Sequence, residues 1–132
     1  MNLRDLHVHT IFSDGKNSPE EMVREAIARG MDIIGHFDLI TKFYEGGALF
    51  DETEPRYIAA SRAAADVLLK TGKPFEINTG AISRGYRTAP YPSLALRDYI
   101  RHKGGSFLLS SDSHAKESLC FQFAALESES KR

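Results

Sequence analysis

The feature that most constrains the fold is a regular alternation of short apolar strand patterns with helical patterns. Four segments have strand patterns, at residues 3–9, 32–36, 74–79 and 106–110. Helical patterns, with apolar residues in steps of three and four, fall at about 19–29, 55–70 and 93–103. Strands that alternate with helices in this way form a parallel sheet with the helices packed outside it. The predicted fold class is therefore α/β.

The length of the chain limits how far such a sheet can extend. A chain of 132 residues predicts a single domain, which we assign to residues 1–126. Residues 127–132 form a polar tail that is expected to be disordered. A closed eight-stranded parallel barrel needs about 250 residues, so four strands predict an open sheet. Its two unpaired edges predict a homodimer.

Composition argues against several classes of protein. Apolar runs such as Phe107-Leu108-Leu109 are too short to span a membrane, and the N-terminus lacks a basic stretch followed by an apolar one. The single Cys120 cannot form an internal disulfide, which favours a cytoplasmic location. A formal net charge of −1 lacks the basic excess that is typical of nucleic-acid-binding domains. The expected partner is a small molecule.

Histidine and aspartate residues follow three of the predicted strands. These residues are His7 and His9 after the first, His36 after the second, and Asp112 with His114 after the last. Ligand sites in parallel sheets lie at the carboxyl ends of the strands, so these side chains are expected to cluster. Mixed imidazole and carboxylate ligands suit zinc, manganese or iron better than calcium or magnesium. Together the motifs predict a divalent-metal site.

Each motif has a simpler interpretation when it is taken alone. His7-Val8-His9 is equally consistent with two polar residues at a strand terminus. His36 alone is consistent with a hydrogen-bonded buried histidine. The metal hypothesis therefore depends on all three strand ends carrying such residues.

Phosphate-ester hydrolysis is the reaction that such a site suggests, because these ions activate water and hold the oxygens of a transferring phosphoryl group. A small phosphorylated substrate also needs cationic donors. Arg84 and Arg87 follow the third predicted strand, and a guanidinium group can bind two phosphate oxygens at once. The alternative for either arginine is a solvated surface charge.

These motifs resemble the polymerase and histidinol phosphatase (PHP) family, and within it the bacterial histidinol-phosphate phosphatases. The resemblance rests on Asp5-Leu6-His7-Val8-His9-Thr10, Ser13-Asp14-Gly15, Gly35-His36-Phe37-Asp38-Leu39-Ile40-Thr41-Lys42-Phe43, Phe75-Glu76-Ile77-Asn78-Thr79, Arg84-Gly85-Tyr86-Arg87 and Ser111-Asp112-Ser113-His114. It covers nearly all of the chain up to about Phe123. Members of this family have a distorted barrel of seven strand–helix units, (βα)7, and the phosphatases hydrolyse histidinol phosphate to histidinol and phosphate with divalent metal ions at the strand ends.

The resemblance implies a role for each matching residue. The implied metal-site residues are His7 and His9 on one ion, Asp14, His36, and the closing pair Asp112 and His114. Asp112 and His114 are also the expected catalytic residues. Arg84 is the better match to the arginine that holds substrate phosphate, and Arg87 is the weaker match.

Typical members are about twice as long as this chain. The resemblance therefore implies an incomplete barrel of about four strands, with ligand-bearing strands deleted near Met31-Asp32 and an early end after Leu126. The predicted function is a metal-dependent phosphomonoesterase of the histidinol-phosphatase kind, its activity reduced or lost through the deletion. The alternatives are a non-catalytic metal-binding remnant and a nucleic-acid phosphodiesterase.

Overall fold

The computed structural model describes residues 16–28, 33–43, 45 and 51–130. Its elements within these ranges are α1 (Pro19–Ala28), α2 (Pro55–Leu69), β1 (Phe75–Asn78), α3 (Gly80–Ser83), α4 (Leu94–His102), β2 (Phe107–Ser110) and α5 (Phe123–Ser130), with 3-10 turns at Leu39–Thr41 and Lys116–Ser118. The predicted strand at 3–9, and with it His7, His9 and Asp14, lies outside the described residues.

The sheet in the described part of the chain consists of two parallel strands. β1 and β2 pair from Phe75 opposite Phe107 to Asn78 opposite Ser110. Ile34 adds one parallel bridge to Phe75, and its carbonyl oxygen accepts a hydrogen bond of 2.9 Å from the Glu76 amide. The segment predicted as a strand at 32–36 therefore contributes a single bridge, because the backbone turns at His36. A mixed α/β fold with parallel pairing is confirmed, whereas the partial barrel stays a prediction.

The three long helices begin and end within one residue of the predicted bounds. Ser18 and Glu21 form a capping box at the start of α1, in which Glu21 Oε2 accepts from the Ser18 amide at 2.8 Å and Ser18 Oγ accepts from the Glu21 amide at 3.2 Å. Gly104, with φ of 86°, follows α4 in the left-handed conformation typical of helix ends.

No helix in the described ranges is long and apolar enough to cross a membrane.

The hydrophobic core lies between the sheet and helices α2 and α4. Its buried members are Ala65, Phe75, Ile77, Leu96, Ile100 and Phe107. Gly105 fits the tight turn between α4 and β2, because a Cβ atom there would lie 2.5 Å from Ile100 Cγ2 and 2.7 Å from Leu69 Cδ2. This packing positions the start of β2, which leads to Asp112 two residues beyond its end.

The C-terminal helix corrects one expectation. Residues 127–130, predicted to be part of a disordered tail, continue α5. Glu129 Oε2 accepts hydrogen bonds from Arg97 Nε at 2.9 Å and from Arg101 Nη2 at 3.1 Å. The Arg97 side chain is only 5% exposed, so its charge needs the carboxylate of Glu129 as a partner. This ion pair joins the last turn of α5 to α4.

Candidate functional site

Three of the predicted site residues in the described ranges lie at the carboxyl ends of the paired segments. His36 stands two residues beyond Ile34, and Asp112 stands two residues beyond the end of β2. His36 Nε2 lies 3.2 Å from Asp112 Oδ2, and the Asp112 side chain is only 10% exposed. His114 Nδ1 lies 3.9 Å from Asp112 Oδ1. The structure thus brings His36 and Asp112 into contact and keeps His114 beside them.

Both members of the close pair have an unusual backbone. The φ angles of His36 and Asp112 are 53° and 43°, in the left-handed region that costs residues with a side chain about 1–2 kcal/mol. A long-range contact maintains the conformation of His36, whose amide donates to Glu76 Oε2 at 2.6 Å, whereas that of Asp112 is supported locally. The Asp112 amide donates to Ser110 Oγ at 3.3 Å. Strained residues of this kind are concentrated at functional sites.

Arg84, at the end of the short helix α3, joins this pair. Its Nη2 donates to Asp112 Oδ2 at 3.1 Å, and its Nη1 donates to Asp112 O at 2.7 Å and to His114 Nδ1 at 2.7 Å. Gly80 allows this approach, because a Cβ atom there would lie 2.8 Å from Asp112 Cβ and 2.9 Å from Arg84 Nη2. We call these four residues, His36, Arg84, Asp112 and His114, the strand-end cluster.

The charge of Asp112 is set by its neighbours. Burial raises the pKa of Asp112, but hydrogen bonds and positive charge from His36 and Arg84 outweigh that effect and hold this pKa well below its usual range. Asn78 Nδ2 is a further neighbour, 3.4 Å from Asp112 Oδ2. The carboxylate is therefore ionised at neutral pH, which is the state that a metal ligand requires.

Arg87 has a different environment from Arg84, although the two arginines share one loop. Its guanidinium group is buried and donates to the carbonyl oxygens of Thr41 and Ala89 and, at 3.1 Å, to Glu52 Oε1. The structure does not bring Arg87 into the strand-end cluster. These contacts favour a structural role for Arg87, in which it ties the 3-10 turn after His36 to the loop after α3.

Sequence reasoning missed Tyr91, which lies next to the cluster. Tyr91 is fully buried with its ring centroid 6.3 Å from that of His36, and its hydroxyl group has no hydrogen-bond partner among the described residues. Burial raises the pKa of Tyr91, and the carboxylates of Asp112 and Glu76 raise it further. The only signal in the sequence was an aromatic residue between Pro90 and Pro92.

Asp38 is a second acid of interest, partly buried, that the sequence reasoning did not single out. Both of its carboxylate oxygens lie 2.8 Å from the Tyr57 hydroxyl group. Burial raises the pKa of Asp38 to about 6, although the hydrogen bond from Tyr57 opposes this rise. Asp38 also has a left-handed backbone, with φ of 72°. It therefore shapes the turn that carries His36.

The donor atoms of the close pair fit a divalent metal ion in type and spacing. Two ligands that bind one ion at about 2.1 Å lie about 3.0–3.4 Å apart at ordinary coordination angles. His36 Nε2 and Asp112 Oδ2 are 3.2 Å apart. Within the described ranges, no group of three or more histidine, cysteine or acidic residues is arranged to hold a metal. The described residues thus contain two donor atoms at a spacing that one ion could accept, and the predicted ligands His7, His9 and Asp14 lie outside them.

A comparison with protein-family models finds a match to the PHP domain. The PHP domain family matches residues 5–39, a range that contains His7, His9, Asp14 and His36. This match supports membership of the PHP family, whose members are generally hydrolases and typically bind divalent metals. No curated protein matches the chain.

Proposed function

We propose that this protein is a metal-dependent phosphomonoesterase of the PHP type that acts on a small phosphorylated substrate, with histidinol phosphate as the expected one. One observation carries the proposal. An imidazole, a carboxylate and a guanidinium group meet at the carboxyl ends of parallel-paired segments, with His36 and Arg84 both in contact with Asp112. A phosphoesterase needs these three groups for metal binding and for phosphate recognition.

The proposed metal ligands are His36 and Asp112, completed by His7, His9, Asp14 and His114. A bound divalent ion such as zinc, manganese or iron supplies a nucleophilic hydroxide near neutral pH and positive charge beside the phosphoryl group. The guanidinium group of Arg84 is proposed to bind the non-bridging phosphate oxygens. Arg87 is not needed for this role, because its Nε and Nη1 atoms already donate to protein acceptors.

Asp112 and His114 are the proposed catalytic residues. His114 Nδ1 faces the protein, 2.7 Å from Arg84 Nη1 and 3.0 Å from Asp112 O, and we propose that the proton of the neutral His114 ring is on Nε2. The His114 side chain is 70% exposed, so a substrate can reach that nitrogen from solvent. Nε2 is therefore the atom of His114 that can donate a proton to the oxygen of the leaving alcohol.

A non-catalytic metal-binding protein is the second candidate. It is favoured by the small number of metal donors in the described part of the chain, where His36 and Asp112 form a pair without a third acidic or histidine ligand in a suitable arrangement. A single ion with few protein ligands binds more weakly and stabilises the transition state less than a pair of ions does.

One preparation separates these candidates. The purified full chain is loaded with manganese, zinc or iron, its metal content is measured, and hydrolysis of histidinol phosphate and of a generic phosphomonoester is followed. His36→Asn is the test variant, because asparagine tolerates the left-handed backbone of this position. Arg56→Ala is the control, since the Arg56 side chain is 93% exposed.

The proposed function requires turnover that His36→Asn abolishes and Arg56→Ala leaves unchanged. Metal binding without turnover of any phosphomonoester would select the second candidate. Release of nucleotides from single-stranded DNA would instead favour a PHP-type phosphodiesterase, which the near-neutral net charge argues against.

Assembly and location complete the proposal. We propose a homodimer in the cytoplasm, without a nucleic-acid or membrane partner. Leu108 on β2 and Leu119 after the second 3-10 turn are exposed large apolar side chains, and such side chains are often covered by association. Light scattering on the full chain tests the dimer, and a monomer at high concentration would contradict it.

A further inference from the structure

The hydrogen bonding of the Asp112 carboxylate places a strong restriction on any metal that binds it. Asp112 Oδ2 lies 3.1 Å from Arg84 Nη2, 3.2 Å from His36 Nε2 and 3.4 Å from Asn78 Nδ2. A carboxylate oxygen has two lone pairs, and the hydrogen bonds from Arg84 and Asn78 use both of them, so none is left for a metal ion. At least one of these groups must move before an ion can bind Oδ2.

Arg84 is the group that a metal ion would have to displace. His36 is itself a proposed ligand, and Asn78 is the most distant of the three neighbours and carries no charge. The guanidinium group of Arg84 donates to both the carboxylate and the carbonyl oxygen of Asp112, and it also contacts His114 Nδ1. One guanidinium group therefore uses acceptors from both residues of the proposed closing ligand pair.

We propose that Arg84 occupies the cation position of the strand-end cluster in the metal-free protein, and that metal binding displaces it and frees its guanidinium group for substrate phosphate. This inference rests on the proposed function, because it assumes that a divalent metal binds Asp112. Arg84 then has two alternative positions, and its guanidinium group can bind substrate phosphate only after the metal ion has bound.

The exchange is reasonable on energetic grounds. The Asp112 side chain is 10% exposed, and a largely buried carboxylate without a positive partner is strongly destabilised. Arg84 provides that partner until a metal ion replaces it. Arg84 can also reach solvent, because its side chain is partly exposed.

Metal affinity provides the first test. Calorimetric titration with zinc and manganese is performed on the wild-type full chain, on Arg84→Met and on Arg84→Lys. Arg84→Met keeps side-chain length but donates no hydrogen bonds, so we expect its Kd for the metal to fall at least threefold. Arg84→Lys keeps the competing charge and is expected to bind metal much as the wild type does. Arg56→Ala removes one positive charge from an exposed position and controls for net charge.

A direct readout of the guanidinium group provides the second test. The Arg84 side-chain resonance in nitrogen-15 NMR is assigned by its absence from Arg84→Met. We expect it to show hindered rotation without zinc, because three acceptors hold Nη1 and Nη2. Saturation with zinc should restore the fast rotation of a solvated arginine. If Arg84→Met does not fold, Arg84→Gln replaces it.

The possible results lead to different conclusions. Tighter metal binding by Arg84→Met together with release of the Arg84 resonance supports the exchange. Equal or weaker binding by the variant, or a resonance that zinc does not change, overturns the exchange and leaves the proposed function intact. If neither the wild type nor Arg84→Met binds zinc, manganese or iron, the proposed function fails, and the exchange fails with it.

Discussion

Replacement of Asp38 by asparagine should change the pH dependence of stability in a direction that the structure dictates. Asparagine has nearly the same shape and can still accept the hydrogen bond of the Tyr57 hydroxyl group, but it does not ionise. In the wild type, burial raises the pKa of Asp38 from its ordinary 3.8 to about 6. The native protein must therefore bear the cost of an ionised buried carboxylate at neutral pH.

The magnitude follows from this difference in pKa between the unfolded and the native protein. A rise from 3.8 to about 6 corresponds to about 3 kcal/mol, at 1.36 kcal/mol for each pH unit. The native state holds its proton more tightly than the unfolded state does, so the stabilisation is present below 3.8 and is lost as the pH rises through about 6. Between about pH 4 and pH 7, the stability of the wild type relative to Asp38→Asn should fall by about 2.5 kcal/mol.

The assay is urea unfolding of both proteins at several pH values, followed by circular dichroism. The difference in free energy of unfolding between the two proteins is plotted against pH. Asp98→Asn is the control, because the Asp98 side chain is 65% exposed and its replacement should not produce the same curve. A difference between wild type and Asp38→Asn that stays constant over this pH range would refute a buried Asp38 with a raised pKa.

Three further predictions concern stability. Arg87→Ala should lower the free energy of unfolding by about 2–3 kcal/mol, because it removes charged hydrogen bonds to Thr41 and Glu52. A loss below about 0.5 kcal/mol would contradict a structural role for these Arg87 contacts. Glu129→Gln should cost about 1–3 kcal/mol at neutral pH. Burial raises the pKa of Glu129, but its bonds to Arg97 and Arg101 hold it below the ordinary 4.5, so this cost should disappear as the pH falls. Phe75→Ala should cost about 3–5 kcal/mol in the same unfolding assay, since Phe75 is fully buried in the core, and a smaller loss would place Phe75 nearer the surface.

Much of the fold could be predicted because it follows from local patterns. The capping residues of α1 and the apolar runs of β1 and β2 are features of neighbouring residues, and the structure has these elements where the sequence places them. The contact between His36 and Asp112 follows from one general rule, that the carboxyl ends of parallel strands meet at one edge of the sheet.

The rest depends on contacts between distant residues, which local patterns do not contain. Arg84 and Arg87 have the same chemistry and share one loop, yet the first reaches Asp112 and the second is buried against Glu52. The polar segment after Leu126 has the composition of a disordered tail. Its ordered position depends on the ion pair between Glu129 and Arg97, which is distant in sequence. The left-handed backbone of His36 and Asp38 shortens a strand pattern to one bridge.

The parallel pairing of β1 with β2 has a consequence for how the chain folds. Two parallel strands cannot close through a tight turn, so the chain loses the entropy of a long loop before any sheet hydrogen bond forms. The same holds for the amide of His36, whose acceptor in Glu76 lies 40 positions away, and for Arg84, which is 28 positions from Asp112. Helices α2 and α4 have local hydrogen bonds and can form earlier. The strand-end cluster should therefore appear only in the last step of refolding, and protection of the His36 amide from hydrogen exchange should report when that step is complete.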